Sequence, residues 1–392
     1  MAYYQSIDVW CSVNLRFLFL VYRDFENPAA VGGDFYLWEL ARGLAKLGHK
    51  VTLLCSSFQG ALSSEIIEGV EIHRINSVWS LPLKVLSEYL KNLRGNFDII
   101  VEEAIGGQRL PYVCTLYVKE PLVAVWHQRH NKVFREQYPL PIALFLSLFE
   151  LFQARLYRNR IIVTPSKGAK EKLTQLGFKS DKIKVVYDGV GSTFDGVETK
   201  KNRKNVLVCL GKLRRYKRPD HAIHALARVL KLTKRPCKLV IAGKASEIDR
   251  GYVDSLRNLS KQLGVSDQVE FRINIPEKEK LKLLEEARLL VQPSPVEGFS
   301  IVVAEANRCG TPVVVSDGVP GDVVINGLNG LVYRFGEIDA LAMNIVRLVE
   351  DEGFWDRMSK NAYEWSKQFT WDNSVASFLM VSMKADVKKQ SG

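Results

Sequence analysis

The sequence predicts an α/β protein of two successive doubly wound units facing a central cleft. Three observations carry that expectation. Short apolar runs alternate with amphipathic stretches from end to end, as parallel strands covered by helices on both faces do. The rhythm stops at a polar break at 199–205, where Lys and Asn crowd together, and then restarts. Finally, 392 residues exceed one ordinary core and suit two domains of about 150 to 200 residues each.

In the first unit the strand-like runs are 15–22, 50–55, 70–75, 97–101, 122–126, 160–164 and 183–186, with helical candidates at 34–47 and 167–176. Residues 1–14 read as a short extension before the first strand. The second unit offers strands at 206–210, 238–242, 269–271, 289–292, 312–315 and 331–333. Three final helices, 340–350, 355–369 and 372–385, have no strand after them; they are expected to cap the second unit and cross back to the first. Folds of this kind bind ligands at the carboxyl ends of their strands, so the cleft is the expected site.

No run reaches the roughly 20 apolar residues that span a bilayer. The most apolar segment, 140–152, carries Glu150 and reads as a buried or interfacial helix rather than an anchor. The six cysteines are scattered with no C-x-x-C pair, as in a reduced, cytoplasmic protein. The formal charge of +12 is uneven: nine Lys or Arg fall between Arg155 and Lys184, against Glu171 and Asp181. Such a block is either a solvated face or a surface for an anionic partner, with a membrane or a lipid phosphate ahead of nucleic acid, for which no binding motif is present.

Four segments carry chemistry. Pro293 to Glu305 runs from a strand end through a Gly-containing turn into a helix, leaving the N–H groups of Phe299, Ser300 and Ile301 free for phosphate oxygens. Glu297 precedes that helix and can accept from sugar hydroxyls; Glu305, eight residues on, can reach a second polyol. Gly32-Gly33 can be a plain turn or a close approach to a bulky anion. Gly211-Lys212-Leu213-Arg214-Arg215-Tyr216-Lys217 follows the first strand of the second unit and can bring Lys212 and Lys217 to a diphosphate, or be a basic surface turn. His127 closes a strand, where a lone histidine is more often structural.

Together these segments resemble the glycosyltransferase family 4 enzymes. Their E-G-F-G-x-x-x-x-E segment and the G-T-P-V-V that follows reappear at Glu297 to Glu305 and Gly310 to Val314, with Ser300 in place of the family glycine. The resemblance covers nearly the whole chain: Asn27 to Gly33 with Leu40 to Thr52 looks like the first Gly-rich loop, helix and second strand, and Val163 to Ser166, Val185 to Val190 and Asn326 to Val332 follow in order.

The resemblance implies the GT-B architecture, two Rossmann-like domains: an acceptor-binding domain at 1–198, rejoined by a helix at about 371–388, and a nucleotide-sugar domain at 199–370. It further implies retaining, metal-independent transfer of a hexose from a nucleoside-diphosphate sugar, UDP ahead of GDP, to a glycan or lipid-linked acceptor, with no cofactor. Glu297, Lys217, Lys212 and His127 take the catalytic positions. Gly33, Gly211, Gly298, Phe299, Ser300, Ile301, Glu305 and Ile273 take the donor positions, and Gly32 and Arg129 the acceptor positions. Lys212 stands where relatives usually carry arginine, so a bidentate fork becomes a point charge. Gln128 departs from the His-Asp pair of some relatives, and Ile273 stands where a glycine is usual.

The residues agree with metal independence, because the 18 aspartates include no Asp-x-Asp pair of the kind metal-dependent transferases use. A Rossmann oxidoreductase would show G-x-G-x-x-G after an early strand, and none is present. The remaining alternative is a non-catalytic sugar-nucleotide-binding subunit, against which the retained Glu297, Glu305, Lys212 and Lys217 argue. The expected location is cytoplasmic, peripheral on the inner face of the membrane through Arg155 to Lys184.

Overall fold

The computed structural model describes residues 14–75, 78–104, 111–197 and 203–390. The extension at 1–14, except for its last residue, Cys11 and most of the polar break at 199–205 lie outside the described residues.

Two sheets form the frame. The first contains β1 (Arg16–Leu20), β2 (Lys50–Cys55), β3 (Ser64–Ile67), β4 (Val70–Arg74), β5 (Ile99–Glu103), β6 (Leu122–Val125), β7 (Ile161–Thr164) and β8 (Ile183–Val185), in the order β3-β4-β2-β1-β5-β6-β7-β8. The second contains β9 (Val206–Leu210), β10 (Lys238–Gly243), β11 (Val269–Ile273), β12 (Leu289–Gln292), β13 (Val313–Ser316) and β14 (Gly330–Tyr333), in the order β11-β10-β9-β12-β13-β14. The expected all-parallel first sheet needs one correction. β3 pairs antiparallel with β4 at the edge, Ile67 opposite Val70, and its half-exposed alternation carried too weak an apolar signal to be read as a strand.

The largely apolar strands sit between helical layers. Phe17, Phe19, Ile99, Val101, Val123 and Val125 point into one core, and Leu18, Ile100, Leu122 and Ala124 into the core on the opposite face. That double burial is why these runs lack polar alternation. The second sheet repeats the plan with Leu239 and Ile241 on one face and Val240 and Ala242 on the other.

Helix α1 (Gly32–Lys46) follows β1, α2 (Leu140–Tyr157) lies between β6 and β7, and α3 (Lys167–Leu176) follows β7. In the second domain α4 (Glu277–Glu286) precedes β12 and α5 (Ile301–Arg308) follows it. The terminal α6 (Trp371–Gln390) crosses back as expected: Val375, Phe378 and Leu379 join the core of the first domain, and α6 packs on α1.

In each sheet the chain winds outward from one strand and then returns to wind the other way, so the switch points fall between β1 and β5 and between β9 and β12. The loops after β1, β6, β9 and β12 therefore leave the carboxyl ends beside these switch points, where a ligand crevice forms. Every segment singled out for chemistry leaves one of these strands.

Candidate active site

The loop after β12 delivers Glu297, which is 6% exposed. Its backbone N–H donates to the carbonyl of Gly318 at 3.0 Å, and Gln292, the last residue of β12, donates Nε2 to its Oε1 at 2.8 Å. The ammonium of Lys217, in the short turn after β9, donates to both carboxylate oxygens at 2.7 and 2.8 Å. Burial works against the charge on Lys217, but Glu297 and Tyr216 outweigh it and hold the ammonium above its ordinary range. A half-buried cation and a buried carboxylate thus persist together because each offsets the other's desolvation.

Lys212, earlier in the same loop, is less well compensated. Burial, with Arg214 and Arg23 nearby, pulls it down to about 8, while Asp34 and Asp249 oppose the fall. Arg23 comes from the loop after β1 and stands 3.8 Å from Asp34 of α1. The two domains therefore contribute one cation each to the same spot, and an arriving dianion would relieve their repulsion. Gly211 has φ +151° and Gly243 φ +138°. A β-carbon on Gly243 would lie 1.8 Å from the carbonyl oxygen of Gly211, so the two strand ends meet only as glycines.

His127 faces this spot from the end of β6. A β-carbon on Gly33 would lie 2.8 Å from its Nε2, and Tyr36 presents a ring edge at 5.3 Å. Burial, then His130, lowers the imidazole to about 4, so the ring is neutral near pH 7. Its Nε2 is buried and has no partner among the described residues. Gly298 seats the second domain against the first: a β-carbon there would lie 2.5 Å from the carbonyl oxygen of His127, and the Ser166 hydroxyl donates to the Gly298 carbonyl.

α5 begins after Ser300, whose φ of +81° is the left-handed conformation glycine adopts without cost. The serine keeps the backbone path that the replaced glycine would take, and its hydroxyl is buried without a partner among the described residues. Phe299 packs between Tyr187 and Phe369 and anchors the turn. The first turn of α5 leaves the amides of Phe299, Ser300 and Ile301 outside the helical ladder. Glu305, on the inner face of α5, accepts from Lys280 of α4 at 2.7 Å. Burial, against the pull of Lys280, raises its carboxyl to about 7, and its Oε2 is buried without a partner among the described residues. Asp188 is pushed up to about 8 by burial and by Glu305.

The structure brings Glu297, Lys217, Lys212, Gly211, Gly298 to Ile301, Gly33 and His127 to the crevice. Three further expected positions stand apart from this group. Gly32 leaves open space around a β-carbon, so nothing requires a glycine there. The Ile273 side chain packs on the core of the second domain, leaving only its backbone for a ligand. Arg129 lines a cavity with Val296 and Lys172 between the domains.

Sequence reading missed Arg23, Asp34, Gln292, Gly243 and Lys280. Three of these are legible by one rule, since Arg23, Gln292 and Gly243 sit at or just past the carboxyl ends of β1, β12 and β10, whereas Asp34 lies in the first turn of α1. Lys280 carries no such signal, because only tertiary packing brings α4 to α5. The basic block between Arg155 and Lys184 also needs correction as a single surface: Arg160 turns inward to Thr115, and Lys172 faces the cavity.

Comparison with known proteins agrees with this geometry. Residues 31–193 match the family described as Glycosyltransferase Family 4, and residues 192–365 match Glycosyl transferases group 1. An uncharacterized glycosyltransferase of Methanocaldococcus jannaschii is 27% identical over 381 residues, covering 88% of this chain and 93% of the relative. A D-inositol 3-phosphate glycosyltransferase of Streptomyces bingchenggensis is 24% identical over 392 residues, covering 91% and 85%. The structure of HepE from Anabaena in complex with UDP-glucose superposes with a TM-score of 0.70 at 18% identity, covering 97% of this chain and all of that one. The chain belongs to the glycosyltransferases of the family 4 type, with the GT-B fold, and its activity is glycosyl transfer.

Proposed function

We propose that this glycosyltransferase moves a hexose from a nucleoside-diphosphate sugar to a glycan or lipid-linked acceptor, with retention of configuration and without a metal ion or cofactor. The observation that carries the reading is the Lys217–Glu297 pair in the crevice, with Lys212 and Arg23 nearby. As the anomeric C–O bond breaks, the diphosphate gains charge; Lys217, Lys212 and the start of α5 supply preorganised positive potential for it. Glu297 accepts from sugar hydroxyls and favours the positive character growing at the anomeric carbon. Neutral His127 offers the unpartnered Nε2 to a hydroxyl or phosphate oxygen. Retention follows when the acceptor attacks from the leaving-group side. UDP-glucose is the first donor to try, because the Anabaena neighbour is described with it.

A peripheral cytoplasmic location at a membrane is part of the proposal. α2 is exposed along Leu144, Phe145, Leu148 and Phe152, with Leu140 and Ile142 at its start, while Glu150 on its inner face binds His130. Arg155 and Arg158 follow this stripe in the sequence, as in an interfacial helix.

Turnover tests the reading. Purified protein with UDP-, GDP- or ADP-sugars, with and without EDTA, is expected to consume one donor in either condition and to give a product whose anomeric coupling matches the donor. Activity lost in EDTA and restored by magnesium or manganese, or an inverted anomer, would count against it.

A further inference from the structure

A cavity of about 350 Å³ opens between the domains beside Val296, next in the chain to Glu297. Arg129, Lys132 and Lys172 line its first-domain wall. The Nε of Arg129 is buried and has no partner among the described residues. Lys172 reaches the carbonyl of Gly318 at 3.4 Å, a weak contact for an ammonium. Two carboxylates, Asp317 and Glu171, also line the cavity, so its wall carries three cations against two acids. Asp317 accepts from the backbone N–H of Phe335 at 3.0 Å, and Glu171 is exposed to solvent. Burial and Lys132 both disfavour the charge on Lys172, whereas Glu297, then Asp317 and Glu171, favour it, so the cavity shares its electrostatics with the catalytic carboxylate.

The cations of the lining outnumber its acids, with Lys132 exposed at the rim, and one group with several anionic oxygens fits that positive excess. We infer that this cavity is the acceptor's anion subsite: the acceptor carries a phosphate or carboxylate near the hydroxyl to be glycosylated, gripped by Arg129, Lys132 and Lys172. The inference rests on the glycosyltransferase reading of Glu297, which places the reacting sugar beside this cavity. Arg129 supplies a planar fork and the lysines two adjustable point charges, a set that takes a tetrahedral or planar oxyanion. The volume admits a monosaccharide with one such substituent, at about 30 Å³ per displaced water.

The test titrates inorganic phosphate into the full chain and into two variants, Lys132→Gln/Lys172→Gln and Lys217→Ala, with UDP titrated separately. Phosphate affinity is expected to fall at least about tenfold in the double variant and to persist in Lys217→Ala. UDP is expected to behave in the opposite way, which also reports that the double variant is folded. Phosphate binding that is absent from the wild type, unchanged in the double variant or lost only in Lys217→Ala would overturn the subsite. UDP that fails to bind while phosphate does would strike the donor reading alone. Glucose 6-phosphate, glucuronate and glucose then distinguish the anion: tighter binding of one charged sugar names phosphate or carboxylate, and equal binding of all three would overturn the inference.

Discussion

Glu297 takes two charge-assisted hydrogen bonds from a single atom, the ammonium of Lys217, although 80 residues separate them. The pair ties the loop after β9 to the loop after β12, one on each side of the switch point in the second sheet. Lys217→Ala removes the cation and leaves a buried carboxylate without its partner. The expected loss in kcat at saturating donor is roughly 10² to 10³, the scale for deleting a preorganised electrostatic group. Lys217→Arg keeps a cation and part of the rate. A wild-type rate in Lys217→Ala would move the leaving-group site elsewhere.

Gly32 and Gly33 look equivalent in the sequence and differ in the fold. A β-carbon at Gly33 meets the ring of His127 at 2.8 Å, whereas one at Gly32 meets nothing within 4 Å. Gly33→Ala is expected to displace His127 and cut kcat/KM at least about tenfold, on the scale of a misplaced catalytic group. Gly32→Ala is expected to keep near-wild-type kinetics. Equal effects of the two substitutions would remove His127 from the crevice argument.

The architecture was legible because physics wrote it twice, in the apolar strand runs and in their termination at glycine-rich turns. The runs 206–210 and 289–292 coincide with β9 and β12 because strands buried on both faces are apolar almost to their ends, and 50–55 coincides with β2 although Lys50 is exposed and Thr52 only half-buried. β3 escaped notice because an edge strand shows only one half-buried face. In the site, Glu297 and Lys217 were recognisable from family spacing, but their mutual ion pair was not, since loop geometry alone decides that contact. The exposed stripe of α2 was equally hidden: sequence shows that a helix is apolar, whereas only packing shows which face stays uncovered.

Ser300 holds φ at +81° where only glycine is unstrained. A non-glycine residue in the left-handed region costs about 1 to 2 kcal/mol, and glycine gives back part of that through the entropy of the unfolded chain. Ser300→Gly is therefore expected to stabilise the fold by up to about 1 kcal/mol, helped by loss of a buried unpartnered hydroxyl, while Ser300→Ala keeps the strained backbone and shows no such gain. Denaturant midpoints of the three proteins measure this. A lower midpoint for Ser300→Gly would mean that the serine hydroxyl contributes something the backbone argument omits.

The exposed stripe on α2 sets the membrane test. Leu148 and Phe145 are each 66% exposed, so replacing them with Ser should leave the core intact. Vesicle binding is expected to weaken at least tenfold in Phe145→Ser/Leu148→Ser, on the scale of about 1.4 kcal/mol lost per tenfold. It should also weaken with salt if Arg155 and Arg158 meet anionic lipid. Equal sedimentation of wild type and variant with anionic vesicles would discard the interfacial role of this helix.

The two glutamates of the 297–305 segment should fail in different ways. Glu297 sits at the Lys217 contact, so its hydrogen bonds to the sugar strengthen as the ring approaches an oxocarbenium, and Glu297→Gln is expected to lower kcat more than it weakens donor binding. Glu305 lies about one turn along α5 with one oxygen on Lys280 and the other without a partner among the described residues, a position suited to a ribose hydroxyl that changes little during transfer. Glu305→Gln is therefore expected mainly to raise the donor KM. Its pH dependence provides an independent check. The folded carboxyl titrates at about 7, above the ordinary value near 4.3, so its contribution to stability is full below about pH 4 and is lost as pH rises through 7. Gln carries no such slope, and the stability of Glu305→Gln relative to wild type should rise between pH 5 and pH 8. A ribose hydroxyl donates to the ionised form, so the wild-type donor KM should fall relative to the variant's over the same interval, the ratio cancelling the titration of Lys212 that both share. If Glu305→Gln abolishes kcat at saturating donor while Glu297→Gln shifts only KM, the donor lies in the crevice in the reverse orientation, with the ribose at Glu297 and the reacting sugar at Glu305.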